Sequence, residues 1–409
     1  MDICPSLCIV KYGDMKRMIK VSILVFAMTS CEILDDDIGK HVHDRRPVEL
    51  SEVAAILASV SVGPDQVREV HDAVSSSSGN GYDEEYTMRQ LFECPGAGVG
   101  EEGTKGSEEY ARPLRGLIED YVKAGLHTKA SSSSGVMYEA FLEDLMDSDI
   151  QIYWPYSERW DGKSLPVITF DPEDGTEINE GYRLMRSDDG SVQVEAVLVD
   201  EAMALTEPVW VVNRNSDARY MSLEMLRKTQ SEWGEGGGSI IVRPSSSAVK
   251  SSDRTLILKD FTMHRNFDTW FAGASEFFVK MGSVEDFTAS TEAELRLYNP
   301  VVTDFMVVVR RNQVGVQLPF NAVLVSDWSD QLTHCALMIT EDDGGTKTSW
   351  KCSALVRIKS MSYGVELDLP MNSHDDIVWR GQISSRWFEE NNDVTGRFGD
   401  VSLTFGIVM

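Results

Sequence analysis

The chain has 409 residues, of which 42% are hydrophobic and 25% are charged, and these values are typical of a folded globular protein with two or three domains. Its formal net charge of −28 argues against nucleic acid as a partner, because so strong an anion repels a phosphate backbone. No apolar run reaches the roughly 18 residues that a membrane-spanning helix needs.

The first predicted element is a cleavable signal peptide over residues 1–30. Basic side chains at positions 16, 17 and 20 precede an apolar run, 21–28, which is too short to span a bilayer. Two small residues follow, and then Cys31. Met15 is an alternative start, since "MKRMIKVSILVFAMTSC" is a compact signal on its own.

The residues that lead up to Cys31 resemble the lipobox of bacterial lipoproteins, with Met28 where leucine is usual. The resemblance implies cleavage before Cys31 and acylation of its thiol and of the new amino terminus. The acidic stretch "EILDDD" after the cysteine resembles the surface-export signal of Bacteroidetes lipoproteins. We therefore expect a lipid anchor in the bacterial outer membrane, with the protein on the cell surface and residues 31–47 as a tether. The periplasmic face is the alternative.

Residues 48–148 have a helical apolar period and predict a helical domain. Apolar side chains recur at i, i+3, i+4 and i+7 in several segments, separated by loops rich in serine and glycine. A further helix is predicted over "DEEYTMRQLFE". The segments with the helical period are those around Val53, Val67, Leu114 and Tyr138.

After residue 148 the pattern changes to short runs of β-branched and aromatic residues. These predict a β-rich middle domain over 149–245, a serine-rich linker over 246–253 and a C-terminal antiparallel β-sandwich over 254–409. Nine or ten strands are predicted in the last segment, one of them from the alternation of Ala293, Leu295 and Leu297 with charged residues. The predicted fold class is therefore α+β and multidomain.

Two cysteines flank a strong hairpin signal, Asp343-Gly344. If the strands pair about this turn, Cys335 lies opposite Cys352 at a non-hydrogen-bonded position, where Cα atoms are about 4.5 Å apart. The same register places the apolar side chains on one face. The pair is either a cross-strand disulfide in an oxidising envelope or two buried thiols.

Two groups of residues are candidates for ligand binding. The segment "YWPYSERWDG" contains the aromatics Tyr153, Trp154, Tyr156 and Trp160 beside charged residues, so it either stacks on a sugar ring or packs between domains. Acidic loops offer oxygen ligands for Ca²⁺, although none has EF-hand spacing and a solvated acidic turn explains them equally well. The candidate calcium ligands are Asp342, Asp343, Asp375 and Asp376.

Several phrases extend a resemblance over most of the chain: "DEEYTMRQLFECPGAGVG", "IYWPYSERWDG", "VWVVNRNSDA", "WGEGGG", "FDTWFAGASEFFVK", "TEAELRLY", "FNAVLVSDW", "MITEDDGGT" and "GRFGDVSLTF". They resemble a family of uncharacterised Bacteroidetes outer-membrane or surface lipoproteins. The resemblance implies a location in the cell, but it implies no established activity and no functional residues.

No sequence pattern identifies catalytic residues. The sequence lacks the HExxH, P-loop and GxSxG motifs. We expect a non-enzymatic, lipid-anchored protein of the cell envelope that either has a structural role or binds a glycan or a protein partner. The alternative is an envelope hydrolase that acts on polysaccharide through an acidic pair.

Overall fold

A computed structural model describes residues 47–93, 110–127, 134–187, 192–215, 221–222, 224–225, 228 and 254–408. The chain is a mixed α and β protein with several antiparallel sheets and few helices. Its α-helices are α1 (Leu50–Ser59), α2 (Pro64–Gly79), α3 (Met88–Phe92), α4 (Leu114–His127), α5 (Ser134–Met146), α6 (Glu201–Ala204) and α7 (Ser385–Glu390). Short 3₁₀ helices cover Ser157–Arg159, Glu292–Leu297 and Arg311–Gln313.

The strands fall into an N-terminal and a C-terminal group. The first group is β1 (Glu85–Thr87), β2 (Ile150–Tyr153), β3 (Val167–Phe170), β4 (Ile178–Arg186), β5 (Val192–Asp200) and β6 (Val209–Arg214). The second is β7 (Arg254–Met263), β8 (Ser275–Ser283), β9 (Val301–Val309), β10 (Leu318–Trp328), β11 (Leu332–Glu341), β12 (Lys347–Ile358), β13 (Met361–Asn372), β14 (Asp376–Ser384), β15 (Thr395–Phe398) and β16 (Val401–Val408).

The first sheet has six strands in the order β1-β2-β6-β3-β4-β5. Its pairs are antiparallel except β3 and β6, which run parallel. Apolar residues of the helices, such as Leu57, Val70 and Ile118, form one core with Ile152 and Trp210 of the sheet. The predicted boundary between residues 148 and 149 thus lies within a shared core, and the described residues from 47 to 408 form one compact unit.

The second part contains two antiparallel sheets. One has the order β10-β7-β16-β15, and the other has the order β13-β12-β11-β8-β9, with β14 also paired to β11. The two sheets share a core in which Leu258 and Phe405 of the first sheet accompany Phe277 and Leu337 of the second. This part contains ten strands, within the nine or ten that the sequence predicts.

The loop over residues 264–274, between β7 and β8 of the second part, packs against the first sheet. We call it the junction loop. Its Trp270 and Phe271 are buried in a core with Tyr153 and Val211 of the first sheet. The backbone N–H of Ala274 donates to Asp83 Oδ2 at 2.9 Å, so polar contacts fix the loop as well. Gly273 has a φ of 131°, and a Cβ there would lie 2.8 Å from the same carboxylate oxygen.

The predicted register of the cysteine hairpin is wrong. Strand β11 pairs with β12 only near Leu332 and His334, and beyond that point β14 occupies its edge. Cys335 therefore lies opposite Ile383, whereas Cys352 lies opposite Leu367 of β13. Both thiols are free, and burial raises the pKa of each, that of Cys352 to about 11.

Two local predictions also differ from the structure. The segment predicted as one helix, "DEEYTMRQLFE", contains β1 followed by the short helix α3, because residues 85–87 pair with β2. The alternation at Ala293, Leu295 and Leu297 belongs to a 3₁₀ helix rather than to a strand. Leu297 is largely exposed there, so alternation without a sheet partner does not make a strand.

The predicted signal peptide with Cys31, the tether up to residue 46 and the serine-rich linker lie outside the described residues. Within the described ranges, no helix has both the length and the apolar character that crossing a bilayer requires.

Candidate functional site

Three of the four predicted ligand-binding aromatics are core residues. Tyr153, Trp154 and Tyr156 are buried, although Trp154 and Tyr156 also line a small cavity beside Trp160. Trp154 contacts the ring of Trp210 with centroids 6.0 Å apart, and the Tyr156 hydroxyl donates to Glu201 at 2.8 Å. The four aromatics therefore do not form one exposed binding surface, because β2 and the turn after it carry most of them into the interior.

Trp160 is the fourth aromatic, and it is only half-buried. It borders a cavity of about 140 Å³ between the turn after β2 and the segment that follows α6. About five water molecules occupy this volume in the bulk liquid. The volume is well below the several hundred Å³ of a pocket for a drug-sized ligand. The cavity can accept one small ring rather than a long chain.

The cavity combines an apolar side with a polar rim. Trp160 and Leu205 supply apolar surface, and Leu205 is 40% exposed although it is a large aliphatic residue. Arg159, Asp161 and Glu207 add charged groups at the opening. Backbone N–H groups of Ser164 and Lys163 donate to Asp161 and lower its pKa, so this carboxylate stays ionised as a hydrogen-bond acceptor.

The Trp160 ring is held in position before any ligand arrives. Its Nε1–H donates to the carbonyl oxygen of Ser164 at 3.0 Å. Its ring centroid lies 5.0 Å from that of His71 and 5.6 Å from that of Trp154. Contacts on several sides reduce the side-chain entropy that binding has to remove.

The predicted calcium ligands lie on the turn after β11 and on the turn before β14. Asp342 and Asp375 are buried, and both serve local turn structure. Asp342 Oδ1 accepts from the Asn372 side chain at 2.8 Å, and Asp375 Oδ2 accepts from the Asn372 backbone N–H at 2.8 Å. Asp343 and Asp376 are exposed beside them. Burial raises the pKa of Asp343 to about 6, and the charge of Asp268 adds to the effect.

A deeper carboxylate cluster lies next to these turns. Oxygen atoms of Asp268, Glu276 and Glu341 lie within 4.8 Å of one another. No sequence pattern singles out this cluster, because Asp268 lies in the junction loop and Glu276 is the second residue of β8. The pairing of β8 with β11 brings Glu276 close to Glu341, and a 2.9 Å hydrogen bond from Asp342 N–H to the Glu276 carbonyl oxygen continues that pairing.

Asp83 and Glu84, just before β1, are two further buried acids. Glu84 Oε1 accepts from the Ser157 hydroxyl at 2.9 Å. Burial and the neighbouring charge of Asp83 raise the pKa of Glu84 to about 8. Because Asp83 also holds the junction loop, this pair is structural rather than part of the cavity.

No protein-family model matches the chain, and neither the curated proteins nor the solved structures contain a match. The resemblance to Bacteroidetes lipoproteins therefore stays a prediction from the sequence.

Proposed function

We propose that the protein is a non-enzymatic, lipid-anchored binding protein of the bacterial outer membrane, exposed on the cell surface. The anchor is the acylated Cys31, and the ligand is a glycan whose terminal ring enters the cavity beside Trp160. In this proposal the N-terminal helices, the first sheet and a C-terminal β-sandwich form the scaffold. The observation that carries the proposal is the cavity itself, with an aromatic and aliphatic side and a charged rim.

A sugar ring suits this cavity because it has an apolar C–H face and polar hydroxyl edges. The ring face would pack against Trp160 and Leu205, while the hydroxyls would hydrogen-bond at the rim. Asp161 can accept from a hydroxyl, and Arg159 can donate to one. Few polar groups around an apolar surface are typical of small-molecule sites.

The Trp160→Ala variant is expected to lose glycan binding, because it removes the main apolar wall of the cavity. The measurement is a glycan array with the detergent-purified full chain, followed by calorimetry with the best glycan. We expect at least a tenfold loss of affinity, equal to about 1.4 kcal/mol. Trp350→Ala, a half-buried tryptophan on β12, is the matched control and should bind as the unmodified protein does.

Three results would contradict the glycan proposal. Binding that survives Trp160→Ala would place the glycan elsewhere. An array with no signal, together with capture of an envelope protein that depends on Trp160, would favour a protein partner. Release of reducing sugar from a polysaccharide would instead support the hydrolase, and neutral variants of Asp161 and Glu207 would then be tested.

The Cys31→Ala variant is expected to lose lipid labelling and membrane association. The thiol of Cys31 is the predicted acylation site, and the strongly acidic protein has no other predicted attraction to an anionic lipid surface. Labelling of cells with a fatty-acid probe, followed by membrane fractionation, measures both effects. Cys352→Ala is the control and should label normally. An unlabelled native protein, or a variant that stays in the membrane fraction, would refute the anchor.

A further inference from the structure

The carboxylate cluster of Asp268, Glu276 and Glu341 has the composition of a cation site. Three carboxylates from the junction loop, β8 and β11 place oxygen atoms within 4.8 Å of one another. Glu276 and Glu341 are buried, and Asp268 is half-buried. The cluster offers oxygen ligands alone, which hard cations such as Ca²⁺ prefer.

A second observation points to a bound ligand. Glu341 is only 1% exposed, and its Oε1 atom has no hydrogen-bond partner among the described residues. The Oδ2 atom of Asp268 is likewise buried without a partner there. Buried carboxylate oxygens are costly to leave unpaired. The side chains of Asp268 and Glu341 can hydrogen-bond each other only if one of them carries a proton, and a cation would satisfy both in its place.

The charges around the cluster are mostly negative. Burial raises the pKa of Glu341, and the neighbouring carboxyls of Asp268, Asp343 and Asp376 raise it further. Burial likewise raises the pKa of Asp268, and Asp171 and Asp83 add to this effect. A bound cation would offset this concentration of negative charge.

Arg311 is the nearby cation, and other groups engage it. It lowers the pKa of Asp268. However, its Nε donates to Glu201 at 2.7 Å and its Nη1 donates to the backbone carbonyl of Asp268 at 3.1 Å. The guanidinium thus anchors the backbone of the junction loop and does not neutralise the three carboxylates.

We propose that Asp268, Glu276 and Glu341 bind one divalent cation, Ca²⁺ in preference, at the base of the junction loop. Asp343 and Asp376 lie exposed next to the cluster and give the cation an acidic route inward from solvent. The bound ion connects the junction loop to β8 and β11. Since Trp270 and Phe271 of the same loop pack against the first sheet, the ion also stabilises the contact between the two parts of the fold.

The test is Ca²⁺ titration of the detergent-purified full chain after treatment with EDTA. Calorimetry should give one Ca²⁺ per chain with a dissociation constant of about 0.1–1 mM, the range of extracellular calcium modules. The melting temperature should rise with Ca²⁺, because the ion binds only the folded state. NaCl at equal ionic strength controls for screening of the large negative charge.

The variants Glu341→Gln and Asp268→Asn remove one charge each and keep the shape of the side chain. We expect each to weaken Ca²⁺ binding about tenfold or more and to remove the Ca²⁺-dependent rise in melting temperature. Circular dichroism checks that both variants fold. Asp375→Asn, on the neighbouring turn, is the matched control and should bind Ca²⁺ normally.

Two outcomes would overturn the proposal. One is no Ca²⁺-specific heat or melting shift in the unmodified chain beyond that in NaCl. The other is Ca²⁺ binding that Glu341→Gln and Asp268→Asn leave intact, because the ion would then bind elsewhere. In that second case, a loss of binding in Asp375→Asn would assign the ion to the two neighbouring turns that carry Asp342 and Asp375.

Discussion

The Trp154→Ala variant is expected to lose about 3–5 kcal/mol of unfolding free energy, the usual cost of deleting a buried tryptophan. Trp154 is only 1% exposed and lies among the rings of His71, Trp160 and Trp210. The substitution leaves a cavity in the core shared by the helices and the first sheet. Such a loss is a large fraction of the stability of a typical domain.

Urea denaturation followed by circular dichroism measures this effect. Trp154→Phe, which retains an aromatic ring, should cost less, and Trp160→Ala should also cost less because Trp160 is half-buried. Equal midpoints for Trp154→Ala and the unmodified chain would contradict the buried position. The result also matters for ligand assays, because Trp154 is a core residue that also lines the cavity, so loss of binding in Trp154→Ala would combine both effects. Trp160→Ala, at the half-buried position, tests the cavity with less loss of stability.

The Glu84→Gln variant is expected to be more stable than the unmodified chain at pH 8, by a few kcal/mol. The folded state raises the pKa of Glu84 from 4.5 to about 8, chiefly through burial. Between these two values the folded chain binds more protons than the unfolded chain, so stability falls as pH rises, by at most about 1.4 kcal/mol per pH unit for one group. Glutamine has no charge to bury and still accepts from Ser157.

Urea unfolding at several pH values from 4.5 to 8 measures this prediction. The unmodified chain should lose stability across this range, and Glu84→Gln should reduce the slope. Asp83 lies beside Glu84 and its pKa is also raised by burial, so part of the slope should remain. Glu366→Gln, at an exposed position on β13, is the control and should retain the full slope. A variant that parallels the unmodified chain would contradict the assigned pKa.

Local periodicity predicted most elements of the fold. The apolar spacing around Val53, Val67 and Leu114 corresponds to the helices α1, α2 and α4. What periodicity could not predict is which elements pair. The hairpin signal at Asp343-Gly344 is a strong local preference, yet β14 takes the edge of β11 and moves Cys335 away from Cys352. The pairing of β14 with β11, which do not follow each other in sequence, thus prevailed over the local preference for a hairpin.

The candidate sites were predictable to a smaller extent, for the same reason. The aromatic segment was recognisable, but the sequence could not tell that Trp154 is buried in the core whereas Trp160 is only half-buried, or that both line one small cavity. The acidic turn at 340–345 was also recognisable. Glu341 belongs to this turn, but Asp268, which lies beside it in the structure, is 73 residues earlier in the chain (341 − 268). No sequence pattern relates the two residues.

The pairing of β16 with β7 joins residues 401–408 to residues 255–263. Sheet order therefore leaves one edge of β7 without its neighbour until residues 401–408 have paired with it. Contacts so distant in sequence slow folding and prolong the time in which open edges can aggregate. Protection of this edge during folding thus depends on residues far along the chain.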